Sequence, residues 1–86
     1  MAGYRLEVKK KAIKELSRVR PDIGLRLLQS IGSLASEPRP RQSHKLSESE
    51  HSYRFRVGDY RILYQVDDEA KLVTIFKVGH RREVYR

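Results

Sequence analysis

Residues 52–66 constrain this chain most, because they read as two strands folded back on a two-residue turn. Side chains in a strand switch faces at every residue, so Tyr53, Phe55 and Val57 share one side while Arg54 and Arg56 share the other. Gly58-Asp59 is the connection, and such a pair suits the positive φ angles of tight hairpin turns. The returning strand places Tyr60, Ile62, Tyr64 and Val66 on one face and Arg61, Leu63 and Gln65 on the other. A two-residue turn then sets Val57 against Tyr60, Phe55 against Ile62, Tyr53 against Tyr64, and Arg56 against Arg61. Like charges directly opposed on a sheet destabilise it. A chain that accepts this cost is expected to meet something anionic there.

Around the hairpin the periodicity changes. Residues 4–8 alternate and predict a first strand with Tyr4, Leu6 and Val8 inward. From Lys9 the period is helical: Ala12, Ile13, Leu16 and Val19 form one stripe, with Lys10, Lys11, Lys14 and Arg18 opposite. Pro21 suits the first position of a second helix, with Asp22 beside it where a negative charge favours the helix dipole. Its stripe is Ile23, Leu27, Leu28, Ile31, Leu34 and Ala35. Gly24 and Gly32 each cost about 1 kcal/mol there relative to alanine, and close helix packing would explain them. The two helices form a hairpin whose apolar stripes need the hydrophobic face of the sheet. Residues 38–45 are basic, punctuated by proline and aperiodic, so they read as an extended loop tethered to the core by Leu46, before a polar turn at 47–50.

After an acidic turn at 67–70, residues 71–78 supply another strand, with Leu72, Thr74, Phe76 and Val78 on one face and Val73, Ile75 and Lys77 on the other. Apolar residues on both faces predict an interior strand. The expected fold class is therefore α+β: a small antiparallel-rich β-sheet with an N-terminal helical hairpin packed on one face, in the order β-α-α-β-β-β, with residues 1–86 as one domain.

Nineteen Lys and Arg against eleven Asp and Glu give a net charge of +8. Such an excess favours a polyanionic partner, through encounter rate and through salt-dependent affinity for phosphates. An acidic protein partner and plain solubility are the alternatives. The absence of cysteine excludes disulfides, thiolate metal sites and cysteine catalysis. The first residues turn charged at once, and no apolar stretch is long enough to cross a bilayer, so a soluble, cytoplasmic protein without membrane contact is expected. His44, His51 and His80 stand in no metal-ligand spacing, and Asp67, Asp68 and Glu69 fall in a turn, so neither a metal nor another cofactor is expected. No serine has the strand-turn-helix setting of a nucleophile, and no glycine-rich phosphate loop occurs.

The arginines carry more information. Arg54 and Arg56, Arg61, and then Arg81, Arg82 and Arg86 can surround one groove, with His80 and Tyr85 interleaved. Guanidinium binds phosphate in bidentate fashion and stays charged at any working pH, and tyrosine can stack on a base. The same set suits catalysis on RNA, whose own 2′-hydroxyl can attack the adjacent phosphorus without a metal. Arginines supply electrostatic stabilisation of the transition state, while a proton must still leave the hydroxyl and another reach the leaving oxygen. Arginine is a poor base, with a pKa above about 12. Tyr85 and His80 remain as candidates.

Two segments, residues 53–64 and the ending Val78-Gly79-His80-Arg81-Arg82-Glu83-Val84-Tyr85, resemble the RelE/ParE superfamily of bacterial and archaeal toxins, and within it the RelE-like branch. The resemblance covers nearly the whole chain. It implies the toxin of a type II toxin-antitoxin system, a metal-independent endoribonuclease that cuts mRNA in the A site of the ribosome. It also implies a cognate antitoxin, acidic and partly disordered when free, that wraps and blocks the toxin. Carried over by position, Arg61 and Arg81 match phosphate-binding and transition-state-stabilising arginines, and Tyr85 matches a tyrosine that stacks on or orients the base. Arg56 joins these as a catalytic candidate, and Lys45, Arg54, His80, Arg82 and Arg86 are candidates for RNA binding. Arg54 and Arg56 stand where well-known members have lysines, and Lys45-Leu46-Ser47-Glu48 lacks one basic residue of the family's Lys-Leu-Arg-Gly segment. The chain ends one residue after Tyr85. A ParE-like toxin of the same fold that inhibits DNA gyrase, and a nucleic-acid-binding module without turnover, are the alternatives.

Overall fold

The computed structural model describes residues 3–46 and 51–82. Among these the chain forms β1 (Arg5–Val8), α1 (Lys10–Ser17), α2 (Pro21–Ser33), β2 (Ser43–Lys45), β3 (Ser52–Val57), β4 (Tyr60–Asp67) and β5 (Leu72–His80). The strands make one sheet in the order β1-β5-β4-β3-β2, with β1 parallel to β5 and every other pair antiparallel. Both helices cover one face of it. Ala12, Leu27, Ile31 and Leu34 pack there against Phe55, Ile62, Tyr64, Val66, Val73, Ile75 and Val78. The α+β class and the helical hairpin on one sheet face are as the residue pattern predicts.

The hairpin register is also as expected: Val57 opposes Tyr60, Arg56 opposes Arg61, Phe55 opposes Ile62 and Tyr53 opposes Tyr64. Gly58 has φ 58° and Asp59 does not share the positive angle, so the glycine alone supplies the left-handed position of the turn. The ring of Tyr53 stacks on that of Tyr64 at 5.8 Å between centroids. Burial pushes the pKa of the Tyr64 hydroxyl up, and that hydroxyl donates to the Pro38 carbonyl at 2.7 Å.

Three features depart from the sequence expectation. Part of the loop before the hairpin is a strand, β2, which pairs with β3 as a fifth, outer strand; three polar residues are too few to show a period. In β5 the pairing slips between Leu63 and Tyr64 of β4, which face Lys77 and Ile75, so Phe76 is an extra residue. A bulge reverses parity beyond itself. Val78 therefore joins Val73 and Ile75 in the core instead of sharing the face of Leu72 and Thr74. Finally, Leu6 (37%), Ile13 (54%) and Leu28 (54%) are exposed. Each helix buries a narrower stripe than its apolar residues span, and Leu6 lies on the sheet's outermost strand, with β5 on one side only. Leu46 is half-buried outside the core cluster, and its tether is its N–H bond to the Ser52 carbonyl at 2.9 Å.

The two helical glycines differ. A Cβ on Gly24 would meet Val19 Cγ2 at 3.4 Å, whereas one on Gly32 would meet nothing within 4 Å. A Cβ at Gly24 would make an ordinary van der Waals contact and one at Gly32 would reach open space, so close packing requires glycine at neither position. Gly32→Ala is expected to stabilise the protein by about 0.5–1 kcal/mol, measured by urea unfolding, because alanine lowers the entropy of the unfolded chain and fits the exposed last turn of α2.

A polar cluster ties the loop after α2 to the turn between β4 and β5. Arg39 donates to both oxygens of Asp68, at 3.1 and 2.8 Å, and its Nε donates to the Tyr53 hydroxyl at 2.8 Å. Tyr4 donates to Asp68 Oδ1 at 2.6 Å. The Arg39 hydrogen bonds, with that of Tyr4 second, lower the Asp68 pKa to about 2. A carboxylate depressed in this way stabilises the fold above its ordinary pKa, near 3.8, and loses that contribution as pH falls towards the folded value. Between pH 4 and 2 the melting temperature of Asp68→Asn should therefore fall less steeply than that of the wild type.

Candidate active site

The sheet face opposite the helices carries the arginines. Alternation in β4 sends Tyr60, Ile62 and Tyr64 to the core, and so sends Arg61 and Leu63 to the other side. Arg61 lies between two neighbours in register, Arg56 on β3 and Gly79 on β5. Directly opposed side chains have Cβ atoms about 4.5–5.5 Å apart. Gly79 offers no side chain, so the row is open on its β5 side. The next row holds Arg54 opposite Leu63. Leu63 is only 6% exposed although it is outside the helix-facing core. This face is thus partly shielded from solvent.

Within that setting Arg61 Nη1 is shut off from solvent and has no hydrogen-bond partner among the described residues. A buried guanidinium nitrogen without an acceptor costs free energy unless an anion meets it. Arg56 opposite adds a second positive charge. Two guanidiniums opposed in register concentrate positive charge on this face, and guanidinium is a group that binds oxyanions in bidentate fashion. Arg81 follows β5, and its backbone N–H donates to the Asp59 carbonyl at 2.8 Å. Arg81 and Arg82 are therefore tethered beside the hairpin turn, next to the Arg56–Arg61 row, and both are exposed.

Two residues singled out from sequence fall elsewhere. His80 pairs with Tyr60, whose ring packs on the core, so it lies on the helix side of the sheet. Its ring meets Tyr60 edge-on at 5.6 Å, and its Nδ1 accepts the Arg82 N–H at 3.2 Å. That bond leaves the proton of the neutral ring on Nε2. Lys45 pairs with Tyr53, and so also sits on the helix side. The residue that β2 places on the arginine face is His44, opposite Arg54. Sequence reading passed over it because β2 has no legible period; the signal available was only that a histidine two residues before Leu46 precedes the hairpin. Tyr85 and Arg86 lie outside the described residues.

The family described as "ParE toxin of type II toxin-antitoxin system, parDE" matches residues 6–85. The chain belongs to the RelE/ParE toxin superfamily. It is a toxin of the type II toxin-antitoxin class. Toxin RelG of Mycobacterium tuberculosis is 31% identical over 84 residues, spanning 96% of this chain and 97% of RelG. The crystal structure of the archaeal RelE–RelB complex from Pyrococcus horikoshii superposes with a TM-score of 0.83 at 31% identity, over 94% of this chain and 98% of that one. The isolated RelE toxin of E. coli gives 0.79 at 29% identity, over 95% of this chain and 90% of that one.

In this RelE/ParE toxin the strand leading to Arg81 is braced from outside the sheet. β1 ends at Val8, paired with Ile75, and among the described residues no strand covers the remainder of that β5 edge. Glu15 of α1 takes its place. One carboxylate oxygen accepts the Val78 N–H at 2.7 Å and the other lies 3.4 Å from Lys77 Nζ. A charge-assisted bond to an otherwise unpaired edge amide both satisfies it and blocks edge pairing. No helix of the described residues is long and apolar enough to cross a membrane.

Proposed function

We propose that this toxin is a ribosome-dependent endoribonuclease that cuts mRNA in the ribosomal A site. The observation that carries this reading is Arg61, which pairs with Arg56 across the hairpin and has a solvent-excluded guanidinium nitrogen without a hydrogen-bond partner among the described residues. In that role the two guanidiniums hold the scissile phosphate and stabilise the charge that develops as the 2′-hydroxyl attacks. Arg81 supports the leaving side, and Arg54, Arg82 and Arg86 bind the flanking backbone. Tyr85 is assigned to base stacking through the resemblance. Lys45 and His80, on the other sheet face, have no direct part in this arrangement. The chain acts as one toxin domain in the cytoplasm, with no membrane contact. The nineteen basic residues favour ribosomal RNA as the docking surface. An acidic cognate antitoxin is the expected inhibitor, supported by the RelE–RelB complex among the similar structures.

The ribosome supplies what the protein lacks, since holding the reacting atoms in line is worth up to about 7–11 kcal/mol. A translation reaction with purified ribosomes and a defined mRNA, read by primer extension, tests this. Cuts confined to the A-site codon and absent from naked mRNA are expected. Intact mRNA beside loss of gyrase supercoiling would establish instead the gyrase reading, which the ParE description of the matched family favours. Salt-sensitive RNA binding with neither effect would leave only a binding module.

A further inference from the structure

We propose that His44 is the proton acceptor for the 2′-hydroxyl in this reaction, a role that rests on the endoribonuclease reading above. The reaction needs a group on the arginine face that gains and loses a proton near neutral pH. Register and alternation place the ionisable residues His44, Arg54, Arg56, Arg61, Asp67 and Lys77 on that face, and the Lys77 ammonium is engaged 3.4 Å from Glu15. Arginine cannot serve, because its guanidinium does not deprotonate in proteins. Histidine is the side chain whose ordinary titration falls between pH 5 and 8. His80 is turned to the opposite face and its Nδ1 is engaged. His44 is exposed, and its side chain makes no hydrogen bond, ion pair or ring contact with the described residues.

Its position suits the task. Arg54 stands directly opposite His44 on β3, and Arg56 lies two residues further along the same strand, about 7 Å on. His44 thus lies on the same face as the Arg56–Arg61 row, on the β2 side of it, beside Arg54. The charged groups facing His44 from β3 are those two arginines; β2 is the outer strand, with no strand beyond it among the described residues. The carboxylate this face carries on β4, Asp67, is at the strand's far end, opposite Leu72.

The step balances without a metal. A ring nitrogen of His44 takes the 2′-hydroxyl proton as the 2′-oxygen bonds to phosphorus. The bond from phosphorus to the 5′-oxygen breaks, and that oxygen leaves with the electron pair and takes a proton from water. The products are a 2′,3′-cyclic phosphate and a 5′-hydroxyl, and the imidazolium returns its proton to solvent.

The test is single-turnover cutting on programmed ribosomes from pH 5.5 to 8.5, with wild type, His44→Gln and His44→Ala. Loss of a positioned base lowers rates by about 10²–10⁴-fold. His44→Gln should fall at least a hundredfold at saturating toxin, with the concentration for half-saturation within threefold of wild type. It should also lose the acid limb of the pH profile, and added imidazole should restore part of the His44→Ala rate. A His44→Gln rate within threefold of wild type, or a reduced rate that keeps the wild-type acid limb, overturns the proposal while leaving the endoribonuclease reading in place. Wild-type protein that leaves A-site mRNA intact overturns both.

Discussion

Arg61→Ala is expected to abolish growth arrest and to slow A-site cutting by about 10²–10³-fold, the cost of removing one preorganised donor from a developing oxyanion. The size follows from where the side chain sits. Its Nη1 is out of solvent with no partner among the described residues, so in the proposed role a phosphate arriving there would displace none of those residues. Lysine at this position restores only part of the rate, because an ammonium is a point charge and cannot hold two phosphate oxygens in a fixed fork. The stability change has the opposite sign to the usual one. Arg61 opposes Arg56, and relieving two like charges on paired strands is worth roughly 0.2–1 kcal/mol. The Arg61→Ala protein should therefore melt no lower than wild type. A drop of several degrees, with proportional loss of activity, would mean that Arg61 serves the fold and not the substrate.

Leu27→Ala is the opposite case, with a large effect on stability and none of its own on chemistry. Leu27 is fully buried on α2, where the helical hairpin meets the sheet. Truncating such a residue costs about 2–5 kcal/mol through lost transfer energy and the cavity left behind. In a domain of this size each kcal/mol moves the melting temperature by about 4–8 °C. A fall of at least 10 °C is expected by calorimetry. Below the transition, the rate per folded molecule should stay within threefold of wild type, because the arginine row lies on the other sheet face.

Much of this architecture is legible in the residues, and the reason is local. A two-residue turn fixes register, and strict alternation fixes faces, so the Arg56–Arg61 opposition follows from residues 52–66 alone. The first strand beyond that reach already fails. The bulge at Phe76 has no local signature, since an extra residue in β5 is visible only against its partner β4. It moves Val78 into the core. The parity of β5's end in turn decides that Gly79 faces the arginines and His80 does not. Likewise His44 gains meaning only when three polar residues are seen to pair with β3. The exposed Ile13 and Leu28 show the limit of stripe reading: an apolar residue marks a face that can be buried, and the partner surface decides how wide a strip is buried.

Glu15 belongs with these non-local features. A single carboxylate on a basic helix reads as solubilising, yet it closes the β5 edge at Val78, immediately before Gly79 and Arg81. Its role depends on β1 ending at Val8, which no motif announces. The polar cluster of Arg39, Asp68, Tyr4 and Tyr53 braces a different part of the molecule, the loop after α2 and the β4–β5 turn.

The central claim is that the arginine face holds a phosphate while the RNA's own 2′-hydroxyl attacks it. The most direct measurement uses mRNA carrying a single 2′-deoxynucleotide at the mapped cut in the A-site codon, in the reconstituted translation reaction. The account predicts that this one substitution stops cutting at that bond while ribosomes still bind the toxin, and that unmodified mRNA yields a 2′,3′-cyclic phosphate or 3′-phosphate end. Cutting of the deoxy-substituted bond at the wild-type rate would contradict it, because the attacking oxygen would then have to come from elsewhere.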